Sequence, residues 1–128
     1  MSNPKDLMYS KSHEWLKFNN DGTVHTGLSD FAQKSLGDLV FLRLPVVGDS
    51  VTSGESFTDI ESVKAVSDVY SHVTGVIKAV NNELGDSPQK INEDPYGSWI
   101  IQVGDITGKS ELMNADQYDK FCAEEEGH

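Results

Sequence analysis

The sequence predicts a mainly β domain, a small sandwich or flattened barrel of short strands with short helices, one of them at the C-terminus. Three observations carry this expectation. Between Val51 and Val80 β-branched residues recur without a helix cap. Asn19-Asn20-Asp21-Gly22 separates two strand-like runs, which is a hairpin signal. Asn114, followed by Gln117, opens a C-terminal stretch whose apolar residues return at helical spacing.

In chain order, the hairpin strands are expected from His13 to Phe18 and from Thr23 to Leu28. Asp30 with Gln33 resembles a capping box, with Phe31, Ala32 and Leu36 on one helical face and Gly37 placed to end the helix. Leu39 to Leu44 reads as a strand in which Val40, Leu42 and Leu44 share a face, closed by Pro45, and Gly48-Asp49 marks the next turn. In the central stretch Val69, Ser71 and Val73 share one face, and Val76, Lys78 and Val80 share another after Gly75. Asn81 to Gly97, punctuated by Gly85, Pro88 and Pro95, is expected to be mostly loop with one helical turn near Glu83. Trp99 to Val103 reads as a further strand, and Trp15 and Trp99 are expected to help fill the core. In the last helix Met113 is placed to pack on Tyr118 as a hydrophobic staple, with Phe121 and Cys122 following on the apolar face. Glu124, Glu125 and Glu126 put negative charge at the negative end of the helix dipole, which should fray the last turn.

No linker or low-complexity tract divides the 128 residues, so a single domain over 1–128 is expected. Hydrophobic residues at 37% and charged residues at 24% fit a globular chain better than a disordered one or a membrane span. A net charge of -11 repels a phosphate backbone and argues against nucleic acid. The acidic surface either steers the chain towards basic patches on other proteins or only keeps it soluble. Cys122 is the only cysteine, so no intrachain disulfide can form and the cytoplasm is favoured. The N-terminal MSNPKDLMYSKSHEW is neither a signal peptide nor an Arg-rich transit peptide, which fits a bacterial-type cytoplasmic protein or a mitochondrial one that has lost its transit segment. His13, His25, His72 and His128 show no metal-ligand spacing. No nucleophile elbow, phosphate-binding loop or dinucleotide fingerprint marks an enzyme.

The informative residue is Lys64, which falls nearly midway between Gly54 and Gly75. That spacing suggests a lysine at the tip of a hairpin whose strands each run back to a glycine turn. A lone lysine is ordinarily a solvated surface charge, but a hairpin tip can be enclosed by a modifying enzyme without any unfolding.

The arrangement resembles the biotinyl and lipoyl carrier domains, in which one lysine on an exposed turn is acylated. Glu61-Ser62-Val63-Lys64-Ala65 lacks the flanking methionines of biotin carriers and looks like the lipoyl type. The run Ile60 to Tyr70 is similar to that of glycine cleavage H proteins. Lys11-Ser12-His13-Glu14-Trp15, Leu36 to Phe41, Leu44-Pro45, Gly48-Asp49, Ile91-Asn92, Pro95-Tyr96-Gly97 and Tyr118 to Phe121 extend the resemblance over nearly the whole chain. His72, Arg43 and Thr58 stand where the family often has Pro, Glu and Gly, and Gly97-Ser98-Trp99 is one residue shorter than its usual loop.

The resemblance implies a lipoyl/biotinyl-type sandwich with lipoate in amide linkage on Lys64. It makes Glu61, Ser62, Val63 and Ala65 the residues read by a lipoate ligase or a lipoyl/octanoyl transferase, although Glu61 can also be read as a simple turn acid. It implies a non-catalytic carrier that receives the aminomethyl group of glycine from the pyridoxal-phosphate P-protein. The T-protein would pass that carbon to tetrahydrofolate, and the L-protein would reoxidise the dithiol. The aminomethyl cargo is a cation, which a carboxylate in a partly dry cleft would stabilise; Glu14 beside Ser12, or Asp68, are the candidates. Against this, Ser12, His13 and Glu14 can be read as polar residues of an edge strand. The rival functions are an H-like protein relaying lipoyl or octanoyl groups to other complexes, a carrier domain cut from a larger acyltransferase or carboxylase, and an enzyme.

Overall fold

The computed structural model describes residues 3–126. One antiparallel sheet is built from β1 (Met8–Tyr9), β2 (Glu14–Phe18), β3 (Val24–Leu28), β5 (Ser50–Val51), β8 (Val73–Val80) and β9 (Ile101–Lys109), in the order β1-β2-β3-β9-β8-β5. A smaller sheet in the order β4-β6-β7 is formed by β4 (Leu39–Leu42), β6 (Ser56–Ser62) and β7 (Val66–Tyr70). Neither sheet closes on itself, so the fold is a sandwich rather than a barrel. Helices α1 (Asp30–Leu36), α2 (Glu83–Asp86), α3 (Lys90–Glu93) and α4 (Ala115–Glu126) flank the sheets. Among the described residues no helix is long and apolar enough to cross a membrane.

Two apolar clusters hold the structure. The larger contains Leu16, Leu42, Ile60, Val69, Ile77 and Ile101 from both sheets, each 2% exposed or less. Burying such side chains contributes about 1.5–3 kcal/mol apiece before chain entropy is counted. The second, built from Tyr9, Trp15, Tyr118 and Cys122, lies beneath α4 with Met113, Phe121 and Trp99 against it. Strand β2 is buried on both faces: Leu16 enters the sandwich and Trp15 enters the α4 cluster.

The hairpin forms as the sequence suggests, with Phe18 opposite Val24 and Gly22 at a φ of 87°, a left-handed turn conformation that favours glycine. The C-terminal capping box also forms. The Asn114 side chain accepts from the Gln117 amide at 2.9 Å, and the Gln117 side chain accepts from the Asn114 amide at 2.9 Å.

Several local expectations are corrected. The cap of α1 is Ser29, whose hydroxyl accepts from the Ala32 amide, while Asp30 lies in the first turn and receives the Gln33 side-chain amide. A bulge between Leu39 and Phe41 resets the alternation of β4, so Leu39 and Leu42 are buried while Val40 and Phe41 face solvent. Gly75 is inside β8 rather than at a turn; an added Cβ would come within 2.4 Å of the Gly104 carbonyl oxygen, so the glycine permits a close strand contact. The loop after Asn81 contains two short helices, the second anchored by the fully buried Ile91. The last strand begins at Ile101 rather than Trp99 and runs past Val103 to Lys109, through Gly104 and Gly108. Helix α4 extends to Glu126, and Glu125 lies 2.9 Å from the Nε2 of His13, a contact that opposes the fraying expected from the three terminal glutamates.

Candidate functional site

Lys64 sits in the three-residue connection between β6 and β7 and is exposed to solvent. The turn is held by its own backbone and by Ser62. The Ser62 amide donates to the Ala65 carbonyl at 2.8 Å, and the Ser62 hydroxyl accepts from the amides of Lys64 at 3.2 Å and Ala65 at 3.1 Å. The Val63 amide donates to the Asp38 carbonyl at 2.9 Å, which braces the tip against the turn between α1 and β4. Gly37, with a φ of 80°, leaves open the space beside the lysine stem: a Cβ there would lie 3.7 Å from Lys64 Cε.

Glu61 pairs with Phe41 on one side and Val66 on the other, so these three form a row across the small sheet. Val63 is 68% exposed and Val66 65%, so two apolar side chains stand in solvent on either side of the lysine. Among the described residues Lys64 makes no ion pair, so its amine is free to be acylated and fits an amide-linked group. The structure thus brings Glu61, Ser62, Val63 and Ala65 together around Lys64.

The second half of the candidate site lies at the far end of β7. Glu14 is not on an edge, because β2 runs between β1 and β3, and its side chain is only 1% exposed. A buried carboxylate must be partnered, and this one is. Oε1 accepts from the Ser10 hydroxyl at 2.7 Å, from the Ser12 hydroxyl, and from the Nε2–H of His72 at 2.8 Å. Oε2 accepts from the Tyr70 amide at 3.1 Å. Because a carboxylate can only accept, the His72 nitrogen facing it carries the proton. Beside this cluster opens a cleft of about 310 Å³, lined by Ser10, Ser12, Tyr70 and His72, with Lys11 and Glu111 also on its wall.

Asp68 is not part of the cluster. It is exposed, opposite Asp59, and by strand alternation shares the face of β7 that carries Val66 and Tyr70. That face leads from the lysine turn to the cleft. From Val66 to Tyr70 the strand spans about 13 Å at the usual rise per residue.

Sequence reasoning missed Ser10, Tyr70 and His72. His72 and Glu14 are 58 residues apart and no local pattern links them. Cys122 is buried as expected, and burial pushes its thiol above the ordinary value. Among the described residues no group of histidines, cysteines and acids could hold a metal ion; His128 lies outside them.

Two packed antiparallel sheets with an exposed lysine at a hairpin tip define the class: a carrier domain of the lipoyl/biotinyl sandwich type. A sequence profile described as glycine cleavage H-protein matches residues 7–125, and the chain belongs to that family. It is 50% identical over 121 residues to the glycine cleavage system H protein of Lachnoclostridium phytofermentans, covering 94% of this chain and 95% of the relative. A probable glycine cleavage system H protein of Pyrococcus abyssi is also 50% identical, over 90% of this chain and 88% of its own length. The crystal structure of a glycine cleavage system H protein from Mycobacterium marinum superposes with a TM-score of 0.88 at 39% identity, covering 98% of this chain and all of the other. The function is that of a lipoyl carrier in glycine cleavage, and these relatives do not favour the relay of lipoyl groups to other complexes.

Proposed function

We infer that Lys64 is the residue that bears the lipoyl group, through an amide on Nζ, and that this single domain performs no catalysis of its own. The observation that carries the reading is the exposed, unpaired amine at the end of a braced turn. Glu61, Ser62, Val63 and Ala65 are the side chains that a lipoate ligase or lipoyl/octanoyl transferase reads. Glu61 offers a carboxylate between two apolar flanks, and Ser62 fixes the turn geometry. When bound, the lipoyl group supplies a dithiolane that takes up and gives up the one-carbon cargo.

The chain's own part is to position and protect. The rigid base on the small sheet presents the arm in turn to the P-protein, the T-protein and the L-protein, and weak contacts suit a carrier that visits several enzymes. A lipoyl arm on Lys64 would find along β7 the cleft beside Ser12 and Glu14, where Ser12 and the buried carboxylate would hold a cationic cargo. Asp68 lies on that route as a solvated acid. The acidic, cysteine-poor chain fits the cytoplasm.

Intact mass of protein from cells supplied with lipoate tests this. A population heavier by one lipoyl group, mapped to the peptide containing Lys64, is expected. Modification at another lysine only, or by biotin, would overturn the assignment.

A further inference from the structure

The Glu14 carboxylate is sealed from the cleft that leads to it. The cleft wall is made by its hydrogen-bond partners, and Glu14 itself contributes nothing to the lining. A cation entering the cleft therefore meets Glu14 only if one partner moves. Ser10 is locked: it is 2% exposed, donates to Oε1 and accepts from the Glu14 amide at 2.9 Å. The Tyr70 donor is backbone within β7. Ser12 can rotate its hydroxyl, but so small a group vacates little space.

His72 is different. Its ring lines the cleft, its side chain is 12% exposed, and Nε2 lies 2.8 Å from Oε1 and 3.1 Å from the Ser12 hydroxyl. Its backbone is pinned on both sides, by the Ser71 amide on the Glu55 carbonyl at 2.9 Å and by the Ser110 amide on the His72 carbonyl at 2.8 Å. Side-chain rotation is thus its available movement, and rotation would open a ring-sized passage to the carboxylate.

We propose that His72 occupies the cargo position in the unloaded protein: its Nε2–H holds the Glu14 oxygen that the ammonium of the loaded arm takes over, and the imidazole swings towards the cleft mouth as the arm docks. The exchange conserves partners. An ammonium brings three donors where the imidazole presents one, enough for Oε1 and the neighbouring Ser12 hydroxyl together. An arm without cargo has no donor of this kind, and displacing His72 would leave a buried carboxylate short of a partner. His72 therefore admits the loaded arm and keeps the empty one in solvent. This rests on the reading that the loaded arm docks at Glu14.

The test uses lipoylated protein labelled with nitrogen-15 at histidine, observed by NMR with the arm oxidised, reduced, and loaded by the P-protein with glycine. The His72 Nε2 resonance is expected to move on loading and to stay in place on reduction alone. A second measurement needs no cargo chemistry: methylammonium is titrated into the unlipoylated protein and followed through the Gly54 and Tyr70 amides. His72→Ala removes the competitor and should tighten methylammonium binding roughly tenfold. An unmoved Nε2 resonance in the loaded protein, or equal methylammonium affinity with and without His72, overturns the proposal. The control is Glu14→Gln. If it binds methylammonium as well as the wild type, the docking reading itself fails, whereas dependence on Glu14 together with an unmoved His72 removes the exchange alone.

Discussion

The lysine turn and the aromatic cluster beneath α4 both bring polar atoms next to large apolar side chains, and they treat them in opposite ways. At the turn Val63 and Val66 face water and, among the described residues, the lysine has no charged partner. Under α4 the side-chain polar atoms of Tyr9, Trp15 and Tyr118 are all paired. The Tyr118 hydroxyl lies 2.6 Å from that of Ser29 and 2.7 Å from His13 Nδ1, the Tyr9 hydroxyl donates to the Pro4 carbonyl, and the Trp15 indole donates to the Pro95 carbonyl at 3.0 Å. The Tyr9 and Tyr118 rings stack with centroids 4.5 Å apart. The difference teaches where this fold keeps its free energy. The cluster behind β2 adds buried and paired side chains to the stability that the larger core between the sheets supplies, while the modification site contributes almost none and can be enclosed by partners without cost to the fold.

Lys64→Arg separates the regions most sharply. It should abolish glycine cleavage in a reconstituted assay, since the guanidinium cannot form the lipoyl amide, and should shift unfolding free energy by no more than about 0.5 kcal/mol. Retained glycine-dependent turnover would sink the assignment of the arm.

Tyr118→Ala is the converse. Removing a fully buried ring and orphaning Ser29 and His13 should cost about 3–5 kcal/mol in denaturant unfolding. The protein that remains folded should still be lipoylated at Lys64. A loss under about 1 kcal/mol would mean that the cluster is not where stability resides.

At Gly37 the two regions meet through the turn that supports the lysine. Gly37→Ala forces a Cβ into the left-handed region and should destabilise by about 1 kcal/mol. The added methyl lies at ordinary contact distance from the lysine stem, so lipoylation should continue. Failure of lipoylation with the fold intact would show that the ligase reads this turn as well.

The mildest perturbation is alkali. Burial raises the Tyr96 hydroxyl to about 12, and burial also raises those of Tyr9 and Tyr118. The folded state therefore keeps protons that the unfolded chain loses near the ordinary tyrosine value of about 10. Stability should be fully present below that pH and should fall as pH rises from there towards 12 and beyond. Tyrosinate absorbance should then appear together with unfolding, while tyrosinate formed at pH 10 in a folded protein would mean that the cluster is open to water.

The candidate site was legible where its signals are local. The hairpin, the Asn114–Gln117 cap and the Lys64 turn depend on residues within a few positions of one another, so propensity and spacing alone specify them. The face of β4 was not legible, because a bulge is set by pairing with β6 and reverses the alternation that sequence implies. The second half of β9 was hidden for a related reason: beyond Val103 the strand is held by pairing with β8, where Gly75 lets the Gly104 carbonyl approach closely, which only the neighbouring strand reveals.

Glu14 shows the division most plainly. The sequence by itself determined a mainly β carrier with one lysine on a turn, and through family resemblance it drew attention to Ser12 and Glu14. Only the tertiary structure decided that Glu14 is buried between two strands, that Ser10, Ser12, Tyr70 and His72 converge on it, and that Asp68 faces solvent. The physical reason is that a buried carboxylate needs several donors at once, and here they come from two stretches of chain, Ser10 with Ser12 and Tyr70 with His72, that only the packing of the two sheets brings together.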